Sequence, residues 1–281
     1  MEIGVGMAIS SESMDVALLA QKAESLGFES FWLPEHPIIP VHSTSRYGGT
    51  ADGSIPKFMM DLADPFIGLA RASAVTQRMK LGTSICLVPE HNPLSQAKQI
   101  ATLDRFSNGR FIFGIGAGWL REETEIMGGN FEHRWGQTRE AILAMKELWT
   151  KDESEFHGRF YDFPPVRSFP KPVQKPHPPV LLGGFASNVF KRVVEWGDGW
   201  MPVGVSPEQV RMGRAILDEL AEAAGRDPRA IQVTVYGLAA DQEVMKRYDQ
   251  AGAGRAIVRL STTKEGEALA ELERMAERVF A

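Results

Sequence analysis

The 281-residue chain predicts an α/β protein, a (β/α)8 TIM barrel with insertions after strand 2 and before strand 5, and three observations point there. Short β-branched or aromatic runs alternate with amphipathic segments along the whole chain, the pattern of a parallel sheet wrapped by helices. Three helices announce their starts with a capping residue followed by proline, at Asp64-Pro65, Asn92-Pro93 and Ser206-Pro207. The Gly-x-Gly-x-x-Gly turn of an open, doubly wound sheet is missing, because only Gly4 and Gly6 precede Met7-Ala8-Ile9.

Taken in order, the first strand is read as Ile3 to Ile9 and the first helix as Met14 to Leu26, where Val16, Leu19, Ala23 and Leu26 share a face and Gly27 stops it. Ser30 to Leu33 forms the second strand. The helices begun at Pro65 and Pro93 frame strands near Lys80 to Ile85 and Phe111 to Ile115, and Ser107-Asn108-Gly109 gives the second of them a left-handed stop. A longer helix spans about His133 to Trp149, and the fifth strand, Val180 to Leu182, follows a loop holding seven prolines from Pro164 to Pro179. That loop is an insertion, too short to separate domains.

The alternation then resumes through Val189 to Trp196, Gly199 to Pro202, Pro207 to Ala224, Ile231 to Leu238, Gln242 to Ala251, Arg255 to Leu260 and Gly266 to Phe280. Eight strands and at least eight helices are the number that closes a barrel, so residues 1–281 are expected to form one domain. The run Gly114-Ile115-Gly116-Ala117-Gly118-Trp119 does not restore a nicotinamide fingerprint, since Trp119 stands where its third glycine belongs.

Composition narrows the function classes. Thirty-one basic and 36 acidic residues give a net charge of −5 with no block of like charge, which argues against nucleic acid as a partner. The single cysteine, Cys86, cannot form an internal disulfide or a multi-cysteine metal site and fits a reducing cytosol. No stretch reaches the ~20 apolar residues of a membrane helix, and Met1-Glu2-Ile3-Gly4-Val5-Gly6 lacks the features of a signal peptide, so a cytoplasmic protein is expected.

In this architecture the chemistry belongs at the C-terminal strand ends. Glu35-His36, bracketed by Pro34 and Pro37, follows the second strand, and an imidazole there can exchange a proton near neutral pH. The remaining histidines, among them His91, show no metal-ligand spacing, and no metal is expected. Gly183-Gly184-Phe185-Ala186-Ser187 joins the fifth strand to a helix; it reads equally well as an anion-binding turn or as a turn that needs glycine for steric reasons. Gly114, Gly116 and Gly118 admit the same two readings. Trp119, with Glu122 and Glu123 after it, offers a stacking face and polar anchors, or else carboxylates that favour a helix start. Cys86, without a neighbouring His or Lys, reads as a core residue.

These strand-end segments resemble the bacterial luciferase-like superfamily, and more closely its branch of coenzyme F420-dependent oxidoreductases. The resemblance covers nearly the whole chain and is carried by Ser30 to His36, Leu81 to Ile85, Ala101 to Arg110 continuing into Phe113 to Trp119, Gly183-Gly184, and Gly197 to Trp200. It implies a non-proline cis peptide at Ser84-Ile85 behind the cofactor ring. It also implies that Ala117, Gly118 and Trp119, with Gly183, Gly184, Phe185 and Ala186, hold the cofactor's side chain and phosphate, and that His36 lies at the reacting face with Glu35 beside it. A homodimer is expected on the same ground.

The resemblance favours F420 over FMN through Trp119, the Glu35-His36 segment and the region Tyr47 to Pro65. The leading expectation is therefore hydride transfer between F420 and a small, mostly apolar substrate, with His36 managing the proton. An FMN-dependent monooxygenase and a non-catalytic barrel that binds a cofactor or phosphorylated metabolite are the alternatives. The loop Ile38 to Met60 and the insertion Asp152 to Pro179 are expected to cover the pocket, supplying Tyr47, Phe58, Phe160, Tyr161 and Phe163.

Overall fold

In a computed structural model, which describes residues 1–280, the capping residues do what their chemistry predicts. Asp64 Oδ1 accepts from the Ile67 amide at 2.9 Å, and Asn92 Oδ1 from that of Leu94 at 3.0 Å. Ser206 and Gln209 complete a reciprocal capping box. These residues start helices α2 (Pro65–Ser73), α3 (Pro93–Phe106) and α7 (Pro207–Ala223). Asp15 caps α1 (Val16–Ser25) in the same way. Helix α3 stops at Asn108 and Gly109, both with positive φ.

The strands between the helices close on one another. They are β1 (Glu2–Gly6), β2 (Ser30–Leu33), β3 (Lys80–Thr83), β4 (Cys86–Leu87), β5 (Phe111–Gly116), β8 (Val180–Gly183), β9 (Gly199–Met201), β10 (Gln232–Leu238) and β11 (Arg255–Arg259). All their pairings are parallel, and β1 lies between β2 and β11, with Val5 facing both Phe31 and Val258. At the other side, β5 pairs with β3, β4 and β8, which closes the ring. β3 and β4 are two halves of the third barrel strand, so the barrel has eight strands.

Two expected strands differ by more than one residue. The first ends at Gly6, not Ile9, although the Met7 amide still donates to the Trp32 carbonyl. The third is broken after Thr83: between the Gly82–Ile112 and Cys86–Ile115 pairs it spends one more residue than β5, a bulge that contains the cis peptide Ser84-Ile85.

Inside the barrel, Trp32, Ile112, Leu181, Met201 and Ile257 form a small buried cluster with Ile85 and Tyr236 packed on it. Trp32 fits because Gly82 faces it; a Cβ there would come within 2.2 Å of the indole. The larger core lies between sheet and helices and includes Trp149 and also Cys86, the latter as its surroundings in sequence suggested.

Helices α4 (Arg121–Ile126), α5 (Arg134–Thr150), α6 (Val189–Trp196), α8 (Gln242–Gln250) and α9 (Glu267–Phe280) complete the outer layer. The insertion before the fifth barrel strand is not featureless: β6 (Ser154–His157) and β7 (Asp162–Val166) form an antiparallel hairpin. Its prolines, Pro164 and Pro165, are tolerated because a two-stranded ribbon has only edges. Among the described residues no helix is long and apolar enough to cross a membrane.

Candidate active site

A cavity of about 350 Å³ opens at the C-terminal ends of the strands, and every barrel strand or its following loop contributes to its wall. Ala8 follows β1, Glu35 and His36 follow β2, and Ser84 and Ile85 interrupt the third strand. Gly116 ends β5 and Ala117 to Trp119 follow it, Gly183 ends β8 and Gly184 follows it, Val203 follows β9, and Tyr236 and Arg259 come from β10 and β11. Phe58, Met59 and Leu62, from the connection between β2 and α2, make the rim largely apolar. This size and character suit a small-molecule or cofactor site, commonly about 300–1,000 Å³.

Glycines make the flat part of the wall. A Cβ on Gly116 would lie 2.2 Å from Ile85 Cδ1, so glycine is what lets Ile85 lie across the floor. Gly184 has φ of +101° with nothing within 4 Å of a Cβ position, which leaves the turn after β8 open. The Ser84 hydroxyl is buried without a hydrogen bond of normal geometry. An apolar slot with glycines in its wall and a buried hydroxyl leaves room for a flat ring such as that of a flavin or deazaflavin, and Gly183-Gly184 border it on one side.

His36 is held from both ends. Its Nδ1 lies 2.7 Å from Glu123 Oε2, and the Trp119 indole N–H points at its Nε2 from 3.4 Å. Glu123 accepts and Trp119 donates, so the arrangement selects the neutral tautomer with hydrogen on Nδ1 and a lone pair on Nε2. Trp119 packs edge-on to His36 and is backed by Tyr47.

Two further carboxylates lie close. Glu90 is buried, and burial together with the neighbouring Glu123 charge pushes its carboxyl up to about 9, although Thr124 Oγ1 donates to it at 3.1 Å. Glu35, expected to act beside His36, is occupied elsewhere: its oxygens accept from the Leu87 amide at 2.7 Å and from His91 Nε2 at 3.0 Å. Burial works to raise the Glu35 carboxyl, but His91 and the Leu87 amide outweigh it and hold it below its usual value. Burial likewise opposes the charged His91 ring, yet Glu35 draws its pKa upward.

Glu35, Cys86 and His91 bring three metal-ligand atom types within 4.8 Å of one another. Their hydrogen bonds account for the cluster: His91 binds Glu35, Gln96 Nε2 donates to Cys86 Sγ at 3.1 Å, and burial pushes the Cys86 thiol well up. The trio clasps the segment after the bulge and keeps its sulfur as a thiol.

Of the residues singled out in the sequence, Glu35, His36, Ser84, Ile85, Ala117, Gly118, Trp119, Gly183 and Gly184 share this cavity wall. Phe185 and Ala186 do not: Phe185 turns outward and stacks on Trp200 with ring centroids 5.9 Å apart, and the Ala186 carbonyl accepts from the Val189 amide. The loop from Ile38 supplies Tyr47, Phe58 and Met59 as expected.

The proline-rich insertion does not cover the pocket. Phe163 packs into the core, the Tyr161 hydroxyl accepts from Gln137, and residues 173 and 174 bind Asp104 near the start of β5. The end of the insertion leads into β8 and so must reach the N-terminal rim of the barrel, while its hairpin turn, with Arg159 and Phe160, lines a neighbouring cavity that Trp135 shares.

Sequence reasoning missed Glu123 as the partner of His36, and also Trp135, Val203, Tyr236 and Arg259. Tyr236 and Arg259 lie in the last two barrel strands near their C-terminal ends, where the strand-end rule could have found them. Trp135, in the first turn of α5, carried no such signal.

Residues 5–278 match the family model described as luciferase-like monooxygenase. A protein of Mycobacterium tuberculosis with no assigned activity is 35% identical over 98% of each chain. An FMNH2-dependent dimethylsulfone monooxygenase of Pseudomonas putida is 31% identical over 80% of this chain and 58% of its own length. An F420-dependent glucose-6-phosphate dehydrogenase of Amycolatopsis mediterranei is 28% identical over 88% of this chain and 69% of its own. Among solved structures, the coenzyme F420 dependent tetrahydromethanopterin reductase from Methanopyrus kandleri has the same fold, with a TM-score of 0.74 at 17% identity over 100% of this chain and 99% of that one. The chain therefore belongs to the luciferase-like monooxygenase family, a group of barrel oxidoreductases with both F420- and FMN-dependent members.

Proposed function

We propose that this protein is an oxidoreductase that uses coenzyme F420 to oxidise or reduce a small, mostly apolar organic substrate, with His36 as proton acceptor and donor. The observation that carries the reading is His36 itself: an imidazole on the wall of an apolar cavity, its Nδ1 fixed by Glu123 at 2.7 Å and its Nε2 left with a lone pair. Bound F420 supplies a ring carbon that gives or accepts hydride and, unlike flavin, does not readily activate oxygen. Hydride chemistry of that kind leaves one proton for the protein to handle.

The residues divide that work. Ser84, Ile85 and Gly116 form the face against which the ring would lie, and Gly183 and Gly184 would stand beside its tail. His36 Nε2 takes the proton from a substrate hydroxyl during oxidation and returns it during reduction, and substrate displaces the long Trp119 contact. Glu123 stabilises the imidazolium that results. Glu90 keeps its proton at neutral pH, so it adds no second negative charge beside Glu123.

A second reading, an FMN-dependent monooxygenase, is favoured by the 31% identity to the dimethylsulfone enzyme. Titration of the purified protein with oxidised F420 and with FMN, followed by fluorescence, separates the two. F420 binding is expected. Tight FMN binding with indifference to F420 overturns the cofactor assignment, and binding of neither overturns the oxidoreductase reading.

A further inference from the structure

A second cavity, of about 310 Å³, adjoins the first, and Trp135 lines both. Arg134 and Trp135 open α5, Arg159 and Phe160 lie in the turn of the hairpin, and Arg192 projects from α6, the helix that follows the Gly183-Gly184 turn. We propose that Arg134, Arg159 and Arg192 form an anion-binding site that takes the negatively charged tail of the cofactor, an inference that rests on the F420 reading above.

Among the described residues the three guanidinium groups have no carboxylate partner, unlike several other arginines of the chain. Arg71, Arg121, Arg167 and Arg229 each pair with a carboxylate. Among the described residues, Arg134, Arg159 and Arg192 form no such ion pair; the acid lining this cavity, Glu132, is bound by Arg121. Each cation is positioned by an aromatic face instead: Arg192 lies 4.4 Å over Trp135, Arg134 lies 4.0 Å over Phe131, and Arg159 lies 5.1 Å over Phe160.

Arg134 Nε is also buried without a partner. Burial and the nearby Arg134 charge draw the Arg192 pKa down, with Glu195 on the same helix opposing. Like charges gathered around a hollow repel one another, and a bound anion removes that repulsion.

The chemistry of the two cofactors differs at this end. FMN stops at one phosphate, whereas F420 continues through a phosphodiester to a lactyl group and glutamate residues, each adding a carboxylate. A tail that leaves the ring cavity beside Gly184 and passes Trp135 meets all three guanidinium groups, whose planar donors suit phosphate and carboxylate oxygens. The site would thus read the length and charge of the tail, not the ring.

The test compares binding of F420, of the tail-less deazaflavin with ring and ribityl chain only, and of FMN, by fluorescence at low and high salt. The proteins are wild type, R159Q and R159Q/R192Q, with circular dichroism to confirm folding; R159Q leaves the Trp135 contact intact. Wild type is expected to bind F420 at least about tenfold more tightly than the tail-less compound, a margin that shrinks as salt rises. R159Q should narrow the margin and R159Q/R192Q abolish it, with tail-less affinity unchanged.

Equal affinity of wild type for both deazaflavins overturns the site and leaves the cofactor reading standing. Equal loss of both ligands in the variants shows a structural role and also overturns it. Binding of FMN alone, or of no ligand, removes the cofactor reading and the site together.

Discussion

The Nδ1 of His36 and Oε2 of Glu123 are 2.7 Å apart although 87 residues separate them in the chain. One follows the second barrel strand and the other lies in the short helix after the fourth, so closure of the barrel makes the pair. If His36 exchanges the proton and Glu123 supports its charge, His36→Ala should lower turnover by about 10²–10⁴-fold. Cofactor affinity should stay within about threefold. Glu123→Gln should act in the same direction and less severely, because the amide can still accept from Nδ1 but carries no charge. Stopped-flow turnover with parallel binding titrations checks both; loss of affinity equal to loss of rate would assign the pair to structure.

Glu90 makes stability depend on pH. Its carboxyl titrates at about 9 in the fold and near 4.5 as an ordinary side chain. Its contribution is therefore full below about pH 4.5 and falls as pH rises toward 9, because the unfolded chain ionises first. The fall is at most about 1.4 kcal/mol per pH unit. Glu90→Gln removes the ionisation and retains the shape, so the variant should gain on wild type steadily from pH 5 to pH 8.5. Urea unfolding at three pH values measures this, and a pH-independent difference would contradict it.

Glu122 anchors the loop over the cavity. Its carboxylate accepts from the Thr44 amide at 2.6 Å, from Thr44 Oγ1 at 2.8 Å and from Ser45 Oγ at 2.7 Å. The Thr44 amide and the Ser45 hydroxyl hold it far below the usual carboxylate range. Glu122→Ala should leave the melting temperature within a few degrees while the segment Ile38 to Met60 becomes several-fold more susceptible to limited proteolysis. Cleavage elsewhere first would argue against the anchor.

Gly116 reserves the space that Ile85 occupies. In Gly116→Ala the new methyl meets Ile85 Cδ1, the flexible end of a side chain, so Ile85 should swing into the cavity and the fold should survive. Cofactor affinity should drop by about tenfold or more, at an overpacking cost of about 1–3 kcal/mol. Gly116→Ala combined with Ile85→Val, which removes Cδ1, should recover much of both. A double variant no better than the single one would place the damage in the backbone.

Much of the barrel was legible because its signals are local. Asp64, Asn92 and Ser206 cap amides two or three residues away, and an aromatic run such as Ser30 to Leu33 needs no distant partner to declare itself. The hairpin in the proline-rich insertion was not legible, because Pro164 and Pro165 argue against a strand until an isolated two-stranded ribbon makes them harmless. The strand-end rule also brought His36, Ser84, Trp119 and Gly183 to one wall, since position along a barrel strand follows from order alone.

What these residues do to one another was decided only in three dimensions. Glu35 and Glu123 are both acids near a strand end, and nothing local shows that the first serves His91 and the second His36. Glu90 holds its proton because closure buries it beside another carboxylate. Arg134, Arg159 and Arg192 lie on a helix, a hairpin and another helix, and each alone is an ordinary surface arginine. Sequence by itself determined the elements and their order, since backbone preference acts over a few residues. Charge pairing, burial and cavity shape depend on distances through space, and only the closed barrel sets those.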